Sequence, residues 1–148
     1  MIVFDQVTKW WAESELEVGR GVPVLGELIQ WRLVYNPGAA FGIAADHTWV
    51  LTILAAMAVI ALAVFALRVR SLPWVIVVGV LLGGAISHLG DRLFRPPAFA
   101  RGHIVDFIDY FGWFVGNVAD IAIVGGAVAL GVLTVLAVPV RAERPAEV

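Results

Sequence analysis

The chain has 148 residues, of which 61% are hydrophobic and 15% charged, with a mean hydropathy of +0.91 and a net charge of −2. That length allows one domain, and that balance points away from a soluble globule and towards a polytopic membrane protein. With so small a net charge and no basic cluster, nucleic acid is not an expected partner. The absence of cysteine excludes disulfides, a thiol nucleophile, thiolate metal sites and lipid attachment to a cysteine of the chain itself.

Residues 1–15 are apolar apart from a few polar positions. Asp5 and Lys9 are four apart, so on a helix they share a face and can pair. Fifteen helical residues reach only about 22 Å, short of the roughly 30 Å of a bilayer core. The segment opens inside an apolar pattern, and the expectation is a first transmembrane helix that is truncated here. No positive flank and no small-residue cleavage site mark a removable leader.

Residues 16–47 change character, with scattered charges punctuated by Pro23, Gly26, Gly38 and Gly42. Residues 28–35 (LIQWRLVY) are rich in aromatic and β-branched residues and are expected as a strand. Asn36-Pro37-Gly38 follows, with Pro and Gly suited to a type II turn. The segment is an extramembrane module.

Residues 49–67 are uncharged and predict a second span, closed by Arg68 and Arg70. After the short Ser71-Leu72 connection, residues 73–90 predict a third span, with Pro73 at the helix start, His88 inside it and Asp91-Arg92 closing it. Residues 93–116 form a second extramembrane module containing the strand-like IVDFIDYF. Residues 118–140 predict the fourth span, and residues 121–140 carry no charge. Asn117 and Asp120, three apart at the start of that helix, have the spacing of an N-cap and a carboxylate facing the positive helix end. Gly83-Gly84 and Gly125-Gly126 would let helices approach closely. Trp49, Trp74 and Trp113 fall near span ends, as an interfacial belt would. Arg68, Arg70, Arg141 and Arg144 share one side, which the positive-inside rule marks as cytoplasmic, so both modules are expected outside.

Under this topology Asp5, Lys9, Asn36, His88, Asp91, Arg92, Asp106, Asp109, Asn117 and Asp120 converge on the outer membrane face. Ionisable groups near hydrocarbon are costly, and a chain that keeps several generally uses them. Two classes of function fit such a cluster. One is a membrane aspartic protease; the other is a non-enzymatic ion or proton pathway. A pathway needs ionisable groups through the depth of the bilayer, whereas the second span and residues 121–140 have none. No HExxH is present, so no metal site is expected.

Four patches carry a family resemblance: DQVTK at 5–9, NPGAAF at 36–41, GGAISHLGDR at 83–92, and VDFIDYF followed by NVAD within 105–120. In this order, over nearly the whole chain, they resemble lipoprotein signal peptidase, also called signal peptidase II. The resemblance implies an all-α membrane protein with four transmembrane helices and a small β-rich periplasmic or extracellular cradle. It implies an aspartic endopeptidase of the bacterial cytoplasmic membrane, active at the outer face, that removes the signal peptide from a diacylglyceryl-modified prolipoprotein. Membrane lipids are its surroundings; no cofactor is implied, and a monomer is expected. The catalytic pair of the family falls on Asp106 and Asp120. Its supporting residues fall on Asn36, Asn117, Asp91, Arg92, Asp5 and Lys9, with His88 at a further family position.

The chain departs from the family pattern at Ser87-His88, where Gly-Asn is usual, and at Gly116, where an aromatic residue usually precedes the Asn. Within the site, Asp109 rivals Asp106. On a strand the two point to opposite faces, so only one can meet Asp120, and Asp106 is the expected partner. Asp91-Arg92 is expected to be a structural ion pair. Asn36 fits either a bond to substrate backbone or turn initiation. A working pair needs one carboxyl ionised and the other protonated, hence coupled titrations.

Overall fold

The computed structural model describes residues 1–39 and 42–141. Ala40 and Phe41 of the NPGAAF patch, and Arg144, lie outside the described residues. The element order is α1 (Ile2–Glu15), β1 (Val22–Leu25), β2 (Ile29–Asn36), α2 (Thr48–Ala66), α3 (Leu72–Phe94), β3 (Ile104–Tyr110), β4 (Phe114–Gly116) and α4 (Val118–Val135).

Among the described residues three helices are long and apolar enough to cross a membrane: α2 with the short turn before it, α3 and α4. Helices of this length and composition mark a multi-pass membrane protein. Their outer surfaces are apolar. Ile121, Val124, Val128 and Val132 make an exposed stripe at three- and four-residue spacing along α4. The first helix, α1, has 14 residues and reaches about 21 Å, so it is not long enough to cross by itself. Its amphipathicity is inverted relative to a soluble helix. Asp5, Lys9 and Ala12 are buried, while Val3, Phe4, Val7 and Trp10 are exposed. Its polar groups turn inward, where they find partners on α3 and α4.

The four strands form one antiparallel meander in chain order. Strand β3 is central and covered on both faces, with residues 105–109 all buried. Its inner face joins Ala12, Leu33, Val105 and Phe107 in a core capped by Trp11 and Trp31. Trp11 and Trp31 meet edge to face at 5.5 Å, a contact worth about 1 kcal/mol beyond area burial. The β3–β4 hairpin turns through Phe111 and Gly112, both with positive φ. Asp109 Oδ1 accepts the Gly112 N–H at 2.8 Å and steadies that turn.

Several expectations need correction. Strands β1 and β4 were not legible, because four and three residues give too few alternations to register. Helix α3 runs to Phe94, so Asp91 and Arg92 lie inside it instead of closing it. Helix α4 ends at Val135, not at 140. Gly38 lies outside the left-handed region, so no type II turn forms. Instead the Asn36 side-chain Oδ1 accepts the Gly38 N–H at 3.0 Å, an Asx turn. Trp74 does not join a belt. It is buried against Phe65 and donates its indole N–H to the Val138 carbonyl at 2.9 Å. Trp49 and Trp113 are exposed. Gly83, Gly84 and Gly126 do sit in close contacts, against Met1, Ile123 and Leu81, whereas Gly125 faces open space.

The Arg70 and Ser71 N–H groups both donate to the Val140 carbonyl, so the α2–α3 turn meets the end of α4. The C-terminal end of α3 and the N-terminal ends of α2 and α4 therefore lie at the opposite pole, beside the sheet. This is where the polar residues gather.

Candidate active site

Strand β3 carries Asp106, which its pleat turns away from Phe107 and, at three residues' distance, from Asp109. The start of α4 carries Asp120. Asn117 is the N-cap, and a full capping box forms. Asn117 Oδ1 accepts the Asp120 N–H at 3.1 Å, while Asp120 Oδ2 accepts the Asn117 N–H at 2.8 Å. A helix start is rigid, and its positive end favours a carboxylate.

Asn117 also faces the strand. Its Nδ2 donates to Asp106 Oδ1 at 2.6 Å and to the Val105 carbonyl at 3.3 Å. Asn36, at the end of β2, donates from Nδ2 to Asp106 Oδ2 at 3.0 Å. Both oxygens of Asp106 are thus held by amides. A cavity of about 240 Å³ opens beside them. Asn36, His88, Arg92, Asp106 and Asp120 form its polar wall; Leu51, Ala55 and Phe114 are on its apolar side.

Asp106 is 3% exposed, and burial is the main force on its titration. Burial and the negative charge of Asp120 push it up to about 7, against the pull of the Asn36 and Asn117 hydrogen bonds and of Lys9. It therefore holds a proton close to neutrality, beside a second carboxyl at a helix N-terminus.

Arg92 holds the wall in place. Its guanidinium donates to the Asn36, Pro37 and Gly102 carbonyls at 3.1, 2.9 and 3.0 Å, and also to Gly38. It is a clamp on the loop that presents Asn36. Thr48 Oγ1 adds a bond to the Pro37 carbonyl at 2.9 Å. The expected Asp91–Arg92 ion pair is not formed, because consecutive helical side chains diverge by about 100°. Asp91 pairs instead with Lys9 and Arg95, each at 2.7 Å.

Behind the cavity lies a buried ionic cluster. Lys9, fully buried, bridges Asp5 and Asp91 at 2.7 Å each. Asp5 Oδ1 accepts the Ala119 N–H at 2.8 Å, so α1 caps α4 one residue before Asp120. Asp5 Oδ2 accepts from Ser87 Oγ at 2.7 Å. Gln6 donates to Asp91 at 2.9 Å, and Arg95 grips both oxygens of Glu13 at 2.8 Å. Burying these charges is tolerated only because each is paired and hydrogen-bonded.

Of the expected site residues, Asn36, His88, Arg92, Asp106 and Asp120 line the cavity; Asn117 is buried beneath it, bonded to Asp106 and capping α4, and Asp5, Lys9 and Asp91 support it from behind. Asp109 is turned away, 3.1 Å from Arg32 Nε. Gln6, Glu13, Ser87, Arg95 and Phe114 were missed. The polar recurrence at residues 5, 6, 9 and 13 along one helix is the available signal for two of them. Among the described residues no group of three or more His, Cys, Asp or Glu side chains is arranged to hold a metal ion.

Comparison with known proteins identifies the family. The model of the signal peptidase (SPase) II family matches residues 1–136. A lipoprotein signal peptidase of Mycobacterium avium (strain 104) is 44% identical over 135 residues, covering 91% of this chain and 74% of the relative. One of Rhodococcus jostii (strain RHA1) is 43% identical over 136 residues, covering 92% of this chain and 69% of the relative. The fold matches a bacterial membrane enzyme solved by the in meso method at 2.3 Å resolution, with a TM-score of 0.81, 24% identity, and coverage of 99% of this chain and 89% of that one. With a matched family model over most of the chain and relatives above 40% identity, this chain belongs to the signal peptidase II family.

Proposed function

We propose that the protein removes the signal peptide from diacylglyceryl-modified prolipoproteins, with Asp106 and Asp120 as its catalytic pair. The observation that carries the assignment is Asn117, which bonds Asp106 through its side chain and Asp120 through its backbone. Only these two aspartates, among the described residues, line the cavity.

In the proposed step the ionised carboxylate, Asp120, takes a proton from a water that attacks the scissile carbonyl carbon. Asp106 gives its proton to the carbonyl oxygen, producing a neutral tetrahedral diol. On collapse the C–N bond breaks, the leaving amine takes the proton from Asp120, and a diol hydroxyl returns one to Asp106. Both groups end as they began, and no covalent enzyme intermediate forms. Asn36 keeps Asp106 in place and has an amide near the cavity for substrate backbone; Arg92 fixes its loop. Asp5, Lys9 and Asp91 set the start of α4.

We read the whole chain as a single membrane domain in the bacterial cytoplasmic membrane, with α1 embedded as a fourth helix through its apolar outer face. Arg68, Arg70 and Arg141 put the α2–α3 turn inside, and hence the cavity outside. A monomer suffices, since one chain supplies every group named. The ion-pathway alternative has no support: α2 carries no ionisable residue, and α4 has none after Asp120. Incubating purified protein with a diacylglyceryl-modified prolipoprotein tests the reading. A shortened product on a gel is expected; an intact substrate contradicts it.

A further inference from the structure

The ring of His88 stands one helical turn before Arg92 on α3 and reaches the first turn of α4. Its Nε2 lies 3.2 Å from Asn117 Oδ1 and 3.5 Å from Asp120 Oδ1. The orientation of the Asn117 amide is set by other bonds. Its nitrogen donates to Asp106 Oδ1 and the Val105 carbonyl, and its oxygen accepts the Asp120 N–H. An amide oxygen cannot donate, so a bond from the ring to Asn117 requires the proton on Nε2. The acceptors on that edge of the ring are thus one oxygen from each residue that organises the pair.

The geometry points to His88 as a positioning residue: its Nε2–H forks between Asn117 Oδ1 and Asp120 Oδ1, tying the base to the amide that holds the acid. This inference rests on the protease reading and deepens it. The charged groups that share the cavity with the ring are Arg92 from its own helix, Asp106 from β3 and Asp120 from α4. From α2 the cavity receives Leu51 and Ala55, which carry no charge. From α1, Asp5 and Lys9 are directed to Ser87, Ala119 and Asp91. Arg92 is committed to the carbonyls of residues 36–38 and Gly102. The ring therefore has Asp120 as its ionic neighbour and Asn117 as its polar one.

A donor at this point does two things. It adds a second hydrogen to the Asn117 oxygen, so a flip of that amide would set two donors against two. It also reaches the Asp120 oxygen that the capping bond does not hold, and a donor there favours the ionised form. A residue that only filled space would do neither.

The experiment compares His88→Leu and His88→Gln with the unaltered protein, purified in detergent and assayed on a diacylglyceryl-modified prolipoprotein across pH. His88→Leu should lower kcat about tenfold, the effect of one hydrogen bond to a charged group, with KM changing less than about twofold. The acid limb of its pH–rate profile should move to higher pH. His88→Gln, whose Nε2–H stands at a similar reach, should recover both kcat and the limb. A Leu variant with an unmoved limb, or a Gln variant as impaired as Leu, overturns the proposal. A second readout needs no substrate: ¹⁵N NMR of histidine-labelled protein, with the His88 signals identified by their loss in His88→Gln. The Nε2–H tautomer is expected, and an Nδ1–H tautomer overturns the assignment even where the Leu variant does not fold. Absence of cleavage by the unaltered protein, with the Nε2–H tautomer present, would count against the protease reading and not against the fork.

Discussion

Asn117 donates from its side chain to Asp106 at 2.6 Å, joining the first turn of α4 to the central strand of the sheet. The same residue caps the helix that carries Asp120. One side chain thus ties together the two elements on which the proposed chemistry depends, and that relationship gives the first prediction.

Asn117→Ala should abolish cleavage and cost about 1 kcal/mol or more of stability, from the lost cap and the unpaired buried Asp106 oxygen. Asn117→Asp should restore the cap but not the activity, because a carboxylate cannot donate to Asp106. Thermal unfolding and a cleavage assay on the same preparations separate the two effects.

The titration of Asp106 predicts a pH dependence of stability with a definite sign. Its folded value is raised from 3.8 to about 7. Between those values the folded protein binds a proton that the unfolded chain has lost. The stabilising contribution is complete below 3.8 and gone above about 7, so stability should fall as pH rises through that window. Asp106→Asn should flatten this part of the curve, as read by melting temperature across pH. The proton on Asp106 should also set the alkaline limb of the rate profile.

Lys9 has no exposed surface and serves Asp5 and Asp91 together. Lys9→Met should destabilise the protein by roughly 3–5 kcal/mol, because two buried carboxylates lose their shared counter-charge. Adding Asp91→Asn should recover part of that loss. Melting temperatures of the single and double variants test the coupling.

Gly116 is the residue before the cap, and a Cβ there would come within 2.9 Å of Asp120 Oδ2 and 2.7 Å of the Phe114 ring. The ring can move; Asp120 Oδ2 is held by the Asn117 N–H. Gly116→Ala should therefore lower kcat more than it lowers melting temperature, with a packing cost of about 1–3 kcal/mol.

Much of this fold could be read from apolar run length. Helices α2, α3 and α4 lie within a few residues of their expected positions because bilayer thickness imposes long uncharged segments. The opposition of Asp106 and Asp109 followed from the pleat alone. What could not be read is the partnering across the chain. Asp5 and Lys9 meet Ser87 and Asp91 more than 80 residues away, and no local spacing encodes that. Adjacent Asp91 and Arg92 suggested each other, yet helical geometry sends one to Lys9 and the other to the loop at residues 36–38. His88 stood out as a departure from the family pattern, but its reach to Asn117 and Asp120 depends on how α3 packs on α4. The roles of Asp106 and Asp120 rest on the family resemblance and on the cavity they share.

Cleavage by three asparagine variants tests the central claim most directly. Asparagine keeps the size of aspartate but cannot exchange its proton. Asp106→Asn and Asp120→Asn should each abolish cleavage of a diacylglyceryl-modified prolipoprotein while purifying as folded protein, and the double variant should be no worse than either. Asp109→Asn, altered at a residue turned away from the cavity, should retain substantial activity. Wild-type turnover in both Asp106→Asn and Asp120→Asn would contradict the account.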